Sequence, residues 1–248
     1  MTLLLSLLAC DPDVPTTTDS GTPPTDTATT EPVPPPEWCQ EPLEGVLQEI
    51  TTDHPGAPYF ISHPIETTST TPTVIFLGGG QGDQGSAQAS WDLFFTMGDG
   101  IAEVRAVLPW AASGSLSSDP DRITEIRDEV VACYGGDPDG VHLAGTSNGG
   151  ILAFDIALEG SGAFATLMGV PGVPSSWSQG DLATPLAGMR IYNGVGSDDT
   201  GWLSEVNRVH DAMVAEGLDA TYAEFTGQGH VVSVDWDETV LYDFWFDR

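Results

Sequence analysis

Residues 140–158 read GVHLAGTSNGGILAFDIAL, and the order of residue types in this run decides the fold. Positions 140–144 form a short apolar run suited to a buried strand, and 151–158 are apolar at helical spacing. Between them, Gly145-Thr146-Ser147-Asn148-Gly149 leaves so short a connection that the strand must turn directly into the helix. A serine on such a turn sits in strained backbone with its hydroxyl clear of the sheet. Glycines flank it because side chains there would collide with the neighbouring helix and strand. The helix N-terminus beneath it offers unpaired N–H groups and positive potential to a developing oxyanion. Ser147 is therefore the candidate nucleophile.

Outward from this run the chain alternates strand and helix. Residues 73–77 (TVIFL) are a continuous apolar run ended by Gly78-Gly79-Gly80, the pattern of a buried parallel strand. Residues 104–108 are a second such run, stopped by Pro109. Short strands are expected at 45–50 and 57–62, and later ones at 163–170, 189–193 and 220–225. Helices are expected at 87–97, 121–133, 202–216 and 239–246. Repeated βα units with buried strands predict an α/β fold, a mostly parallel sheet with helices on both faces. The short stretch from Val170 to Met189 leaves room for a small lid at most.

A serine hydroxyl needs a base. In the chain order Ser, acid, His, only two of the five histidines follow Ser147. His210 falls in the middle of a helix, whereas His230 stands in the Gly-rich loop Thr226-Gly-Gln-Gly-His230, just past a strand. His230 is the candidate base. His142 alternates with Val141 and Leu143 and is expected to be structural, while His54 and His63 precede the core sheet and are expected at the surface. The acid should follow the preceding strand, where Gly196-Ser-Asp198-Asp199 offers two carboxylates. Asp199 is favoured by the Gly196-x-x-Asp199 spacing and by lying 31 residues before His230, with Asp198 as the second choice. The N–H of Asn148 and one from Gly79, Gly80 or Gln81 would complete an oxyanion hole, because glycines let backbone approach a substrate closely. Trp110, Trp177 and Trp202 fall in loops that could ring the site. No His-x-x-x-His, paired cysteine or phosphate loop occurs, so neither metal nor cofactor is expected.

With these motifs in place, residues 45–248 resemble the α/β-hydrolase fold. Within it they resemble small secreted esterases related to polyhydroxybutyrate depolymerases and to feruloyl and acetyl-xylan esterases. The resemblance is carried by TVIFLGGGQGD (73–83), VRAVLPW (104–110), DPDGVHLAGTSNGG (137–150), YNGVGSDD (192–199) and GQGHVV (228–233). It implies Ser147 as nucleophile, His230 as base, Asp199 as acid, and Gly80 and Asn148 as oxyanion donors. The family usually has His where this chain has Gly78. Gly-x-Ser-Asn-Gly-Gly is similar to serine oligopeptidases of the same fold as well, although those usually carry an extra N-terminal domain. A third reading, from a different class, is a surface binding protein on a retired hydrolase fold.

The N-terminus reads as an address. Residues 2–9 (TLLLSLLA) are too short to span a bilayer, which takes about 20 apolar residues, and they suit a signal peptide over 1–9. Leu7-Leu8-Ala9-Cys10 resembles the lipobox of bacterial lipoproteins, which implies a lipid on Cys10 and a place at the cell envelope, on the periplasmic or extracellular face. No Lys or Arg precedes the apolar run, and an ordinary secretory signal is the alternative. Residues 10–41 are rich in Thr, Pro and Asp and cannot bury enough surface to order themselves, so they read as a disordered stalk before a catalytic domain at 42–248. With Cys10 assigned to lipid, Cys39 and Cys133 remain, either as a disulfide or as two free thiols.

Charge limits the partners. The net charge is −31, all six basic residues are arginines, and there is no lysine. Nucleic acid and electrostatic docking on an anionic membrane are excluded, since both need clustered cations. Seven acidic residues lie in 1–41, which leaves thirty against six arginines in the remainder, so the acidity belongs to the folded domain. Such a domain repels anions unless salt screens them. A monomer acting on a neutral small-molecule or polymer ester, and touching membrane only through its lipid, is the expectation.

Overall fold

In the sheet, eight strands lie in the order β1-β2-β4-β3-β5-β6-β7-β8. They are β1 (Leu47–Ile50), β2 (Tyr59–Ser62), β3 (Thr73–Leu77), β4 (Arg105–Pro109), β5 (Val141–Gly145), β6 (Thr166–Gly169), β7 (Arg190–Gly196) and β8 (Asp219–Phe225). The first two pair antiparallel, and all pairings from β4 to β8 are parallel. The computed structural model describes residues 34–51, 56–64, 71–95, 104–160, 163–232, 236–237 and 239–246. The signal segment, Cys10, most of the stalk and His54 lie outside the described residues. Pro35–Arg248 clusters as one compact unit.

Helices cover both faces, as the βα alternation predicts. On one face α2 (Asp121–Tyr134), α3 (Asn148–Leu158) and α4 (Leu203–Ala215) bury Ile126, Phe154 and Val209 against Ile75, Leu143 and Ile191. On the other, α1 (Gln84–Phe94) and α5 (Thr239–Phe246) bury Phe94 and Trp245 against Phe76 and Val74. α1 begins three residues earlier than its apolar spacing suggests, because the carboxylate of Asp83 accepts the N–H of Ser86 and caps the first turn. Residues 171–189 hold turns and no helix, so no helical lid stands between β6 and β7.

Register sets up the site. Leu77, Gly145 and Gly169 are level across β3, β5 and β6, and Gly196 is level with Phe225 across β7 and β8. The loops after all these strands therefore open on the same edge of the sheet. The chain order reverses between β3 and β5, and a crevice outside the carboxyl ends of strands at such a point is the usual ligand position in α/β sheets.

Cations are scarce, and four of the arginines latch onto backbone carbonyls. Arg105 donates to Tyr134 O and Gly135 O at the end of α2 (3.0 and 2.7 Å), and Arg190 donates to Phe244 O in the last turn of α5 (2.9 Å). Each places a guanidinium at the negative end of a helix. Arg122 joins Pro58 O to Trp110 O, and Arg127 joins Ala163 O to Pro138 O.

Cys39 and Cys133 form a disulfide across a sequence separation of 94, with Cα atoms 5.3 Å apart. It fastens the segment before β1 to α2. Closing so long a loop restricts the unfolded chain, so the Cys39→Ser/Cys133→Ser protein is expected to lose about 2–4 kcal/mol, read from its urea midpoint.

His63 departs from expectation: it is 1% exposed rather than a surface residue. The segment before β1 covers it, through a bridge to Glu44 and the bond from Gly45 N–H to His63 O, and the Tyr134 ring packs 4.6 Å away. Burial, helped by Arg105, holds its pKa down to about 4. His142 is structural, as its strand position implies: it is bonded to Thr166 Oγ1 at 2.9 Å, and burial holds it down to about 4 as well. Both rings stay neutral in the fold while the unfolded chain binds protons from about pH 6.5 downward. Their contribution is thus complete above pH 6.5 and lost as pH falls through about 4. For His142 it is on the order of 3 kcal/mol. Stability measured from pH 7 to 4 should fall less steeply in His142→Asn than in the native chain.

Candidate active site

Ser147 is the only non-glycine residue with positive φ among the described residues (φ 55°, ψ −123°). That backbone costs roughly 1–2 kcal/mol and persists only where its surroundings enforce it. Here the enforcement is visible. Ser147 N–H donates to Pro171 O (2.8 Å), Thr146 N–H to Leu77 O (3.1 Å), and Thr146 Oγ1 to Val170 O (2.5 Å). The two neighbouring glycines are required by space. A Cβ at Gly145 would lie 2.4 Å from Gly149 O, and one at Gly149 would lie 2.1 Å from Leu77 O.

The loops after β7 and β8 bring two further side chains to this serine. His230 Nε2 lies 2.9 Å from Ser147 Oγ, and His230 Nδ1 lies 2.8 Å from Asp199 Oδ2. Because a carboxylate only accepts, Nδ1 carries the proton and the Nε2 lone pair faces the serine hydroxyl. Asp199 is nearly enclosed, its side chain 6% exposed, and the His230 side chain is 40% exposed. Asp198, the second choice, is exposed and takes a bond from Ser197 Oγ (3.2 Å). His210 is outside the group, packed on Tyr222 with ring centres 5.4 Å apart.

Of the three tryptophans expected around the site, only Trp202 reaches it. Its ring stacks on His230 at 5.5 Å with planes 27° apart, and its backbone N–H donates to Asp199 O. One short segment thus carries both the carboxylate and the ring that hold the imidazole. Trp110 instead packs beside Phe60, and Trp177 lies under Arg208, 4.2 Å from the guanidinium. Each follows a strand end but turns onto a neighbouring helix or strand.

The glycine loop lies against the serine. A Cβ on Gly79 would come within 3.2 Å of Ser147 Cβ. Gly82 N–H donates to Gly79 O (3.0 Å), closing a tight turn with Gly80 at φ +61°. Because a trans peptide sets N–H opposite C=O, Gly80 N–H points away from that turn. Gly80 O accepts from the Asn148 side-chain amide (2.8 Å), and Asn148 opens α3, where N–H groups have no intrahelical acceptor. A cleft of about 260 Å³ begins at Ser147 and His230 and runs along α1. A larger hollow of about 570 Å³ lies beyond Gly80 and Asn148, against α3. Among the described residues no three His, Cys, Asp or Glu side chains converge as metal ligands would.

No family model and no curated protein matches the sequence. Solved structures do. The chain is similar to an S-formylglutathione hydrolase from Staphylococcus aureus, with TM-score 0.59 and 13% identity over 81% of this chain and 97% of that one. It is similar to a carboxylesterase from Mesorhizobium loti, with TM-score 0.59 and 15% identity over 81% and 98% of the two chains. It is similar as well to a ferulic acid esterase from Anaeromyces mucronatus solved with ferulic acid, with TM-score 0.57 and 16% identity over 84% and 94%. The chain has the α/β-hydrolase fold that these esterases share.

Proposed function

We propose that the protein is a serine hydrolase that cleaves carboxylic esters through an acyl-enzyme. The observation that carries this is the unbroken hydrogen-bonded line from Ser147 through His230 to Asp199, starting from a serine held at positive φ. His230 Nε2 takes the hydroxyl proton as Ser147 Oγ attacks the ester carbonyl. Asp199 keeps the ring in the tautomer that can accept that proton and stabilises the cation that forms. The N–H groups of Gly80 and Asn148 receive the oxyanion, the first set by the turn at Gly79–Gly82 and the second by the start of α3. His230 then protonates the departing alcohol, and a water activated by the same imidazole releases the acid and restores the serine. Trp202, lying on the ring, limits its swing away from Ser147.

Ester specificity is tested by offering p-nitrophenyl acetate beside peptide anilides. Turnover of the ester alone is the expected result. Cleavage of the anilides at comparable kcat/KM would instead support a peptidase, and turnover of neither would support a retired binding protein.

We further propose that Cys10 is lipidated and that the enzyme stands at the outer side of a bacterial membrane. The disulfide supports an oxidising compartment. Palmitate label on the native precursor, absent from Cys10→Ser, is the expected result.

A further inference from the structure

The cleft that begins at Ser147 is mainly apolar, in a chain of net charge −31. Its walls are one face of α1, carrying Ser86, Ala89, Ser90, Leu93 and Phe94, and the opposing pair Val231 and Val232. Among the described residues no Asp, Glu, Lys or Arg side chain lines it. The hydroxyls that do are already engaged. Ser86 Oγ donates to Asp83 Oδ1 (2.9 Å), Ser90 Oγ to Ser86 O (2.9 Å), and Thr146 Oγ1 to Val170 O. Most of what faces the space is hydrocarbon, from Ala89, Leu93, Phe94 and the two valines, and Val231, beside the imidazole, is 66% exposed.

The direction of α1 gives the cleft a length. Its first turn touches the glycine loop, since a Cβ on Gly80 would lie 3.4 Å from Ser86 Oγ. Leu93 lies seven residues further along, or about 10 Å at a rise of about 1.5 Å per residue. An extended chain advances about 1.2 Å per bond, from about 3.5 Å per three-bond residue, so roughly eight chain atoms fit between Ser86, beside the glycine loop, and Leu93. Ala89, small and exposed, leaves the middle of that path open.

We propose that this cleft holds the apolar half of the ester, a straight alkyl chain of about eight carbons, and that Ala89 and Leu93 set its length. The inference rests on the ester-hydrolase reading and names the substrate class for that same site. A carboxylate in this cleft would lose water and find the Ser86, Ser90 and Thr146 hydroxyl protons already committed, whereas each buried methylene adds binding free energy.

Two series of esters test it: p-nitrophenyl esters with acyl chains of two to twelve carbons, and acetates of alcohols spanning the same lengths. In one series kcat/KM is expected to rise about two- to fourfold per methylene and to level off near eight carbons. The series that responds identifies the half of the ester the cleft holds. Ala89→Leu, on the exposed side of α1, is expected to lower the ratio of eight-carbon to two-carbon kcat/KM at least tenfold. Methyl NMR of Ala89, Val231 and Val232 during titration with octanamide reports occupancy whether or not turnover occurs. Acetate turnover with flat responses in both series would overturn the inference and leave the ester reading standing. Octanamide shifts confined to these methyls, in a chain that turns over no ester, would support the cleft assignment while the ester reading fails. Absence of such shifts would overturn the assignment.

Discussion

Replacing Ser147 with alanine is expected to lower ester turnover by a factor of about 10⁴ to 10⁶ while the fold stays intact. The loss follows from the proposed chemistry: without Oγ no acyl-enzyme forms, and His230 has no hydroxyl to deprotonate. Oriented N–H groups and binding alone leave a residual rate of about 10³ to 10⁴ over water, which sets the floor. Alanine accepts a positive φ about as poorly as serine does, and the bonds from the elbow to Pro171 O, Leu77 O and Val170 O come from backbone or from Thr146. The melting temperature should therefore move by only a few degrees. A large drop in melting temperature together with the drop in rate would mean that Ser147 serves the fold rather than the reaction. Steady-state kcat/KM and a thermal scan on the same preparation separate these outcomes.

Asp199→Asn should cost about 10⁴ in kcat, and Asp198→Asn less than about threefold. Asparagine preserves the shape of Asp199 and reverses part of its hydrogen-bond character. Its amide can donate to Nδ1, which turns the proton to Nε2 and points N–H instead of a lone pair at the serine. Asp198, exposed, one residue before the imidazole contact and bonded to Ser197 Oγ, has no such hold on the ring. The ratio of the two losses, measured at several pH values on one ester, tests the assignment of the acid. Comparable losses at both positions would mean that electrostatic field, and not tautomer control, is what the carboxylates contribute.

Much of the fold was legible because its strands are buried on both faces and read as unbroken apolar runs. TVIFL at 73–77 and the run at 140–144 have no other use in a chain this acidic, and β3 and β5 lie side by side at the centre of the sheet. The start of α1 was less legible, since apolar periodicity marks only the buried face and misses the first turn that Asp83 caps. Order and spacing singled out Ser147, Asp199 and His230 because loops at one sheet edge are fixed by strand register, which sequence order encodes. Contacts made by side chains across the tertiary structure are not encoded that way. His63 precedes the core strands, yet the segment tied down by Cys39 covers it. Trp110 and Trp177 stand after strands as Trp202 does, and only the last turns toward the histidine. The cleft along α1 was hidden for a similar reason: Ala89 and Leu93 have the spacing of core residues, and only the position of the glycine loop shows that their side faces Ser147.

The central claim, that Ser147 is an activated nucleophile, is tested most directly by a fluorophosphonate probe, with the adduct mapped by mass spectrometry. A single adduct on Ser147, absent from Ser147→Ala and formed far more slowly in His230→Ala, is the predicted result. Failure of the native, folded protein to react, or an adduct that persists when Ser147 is replaced, would contradict it.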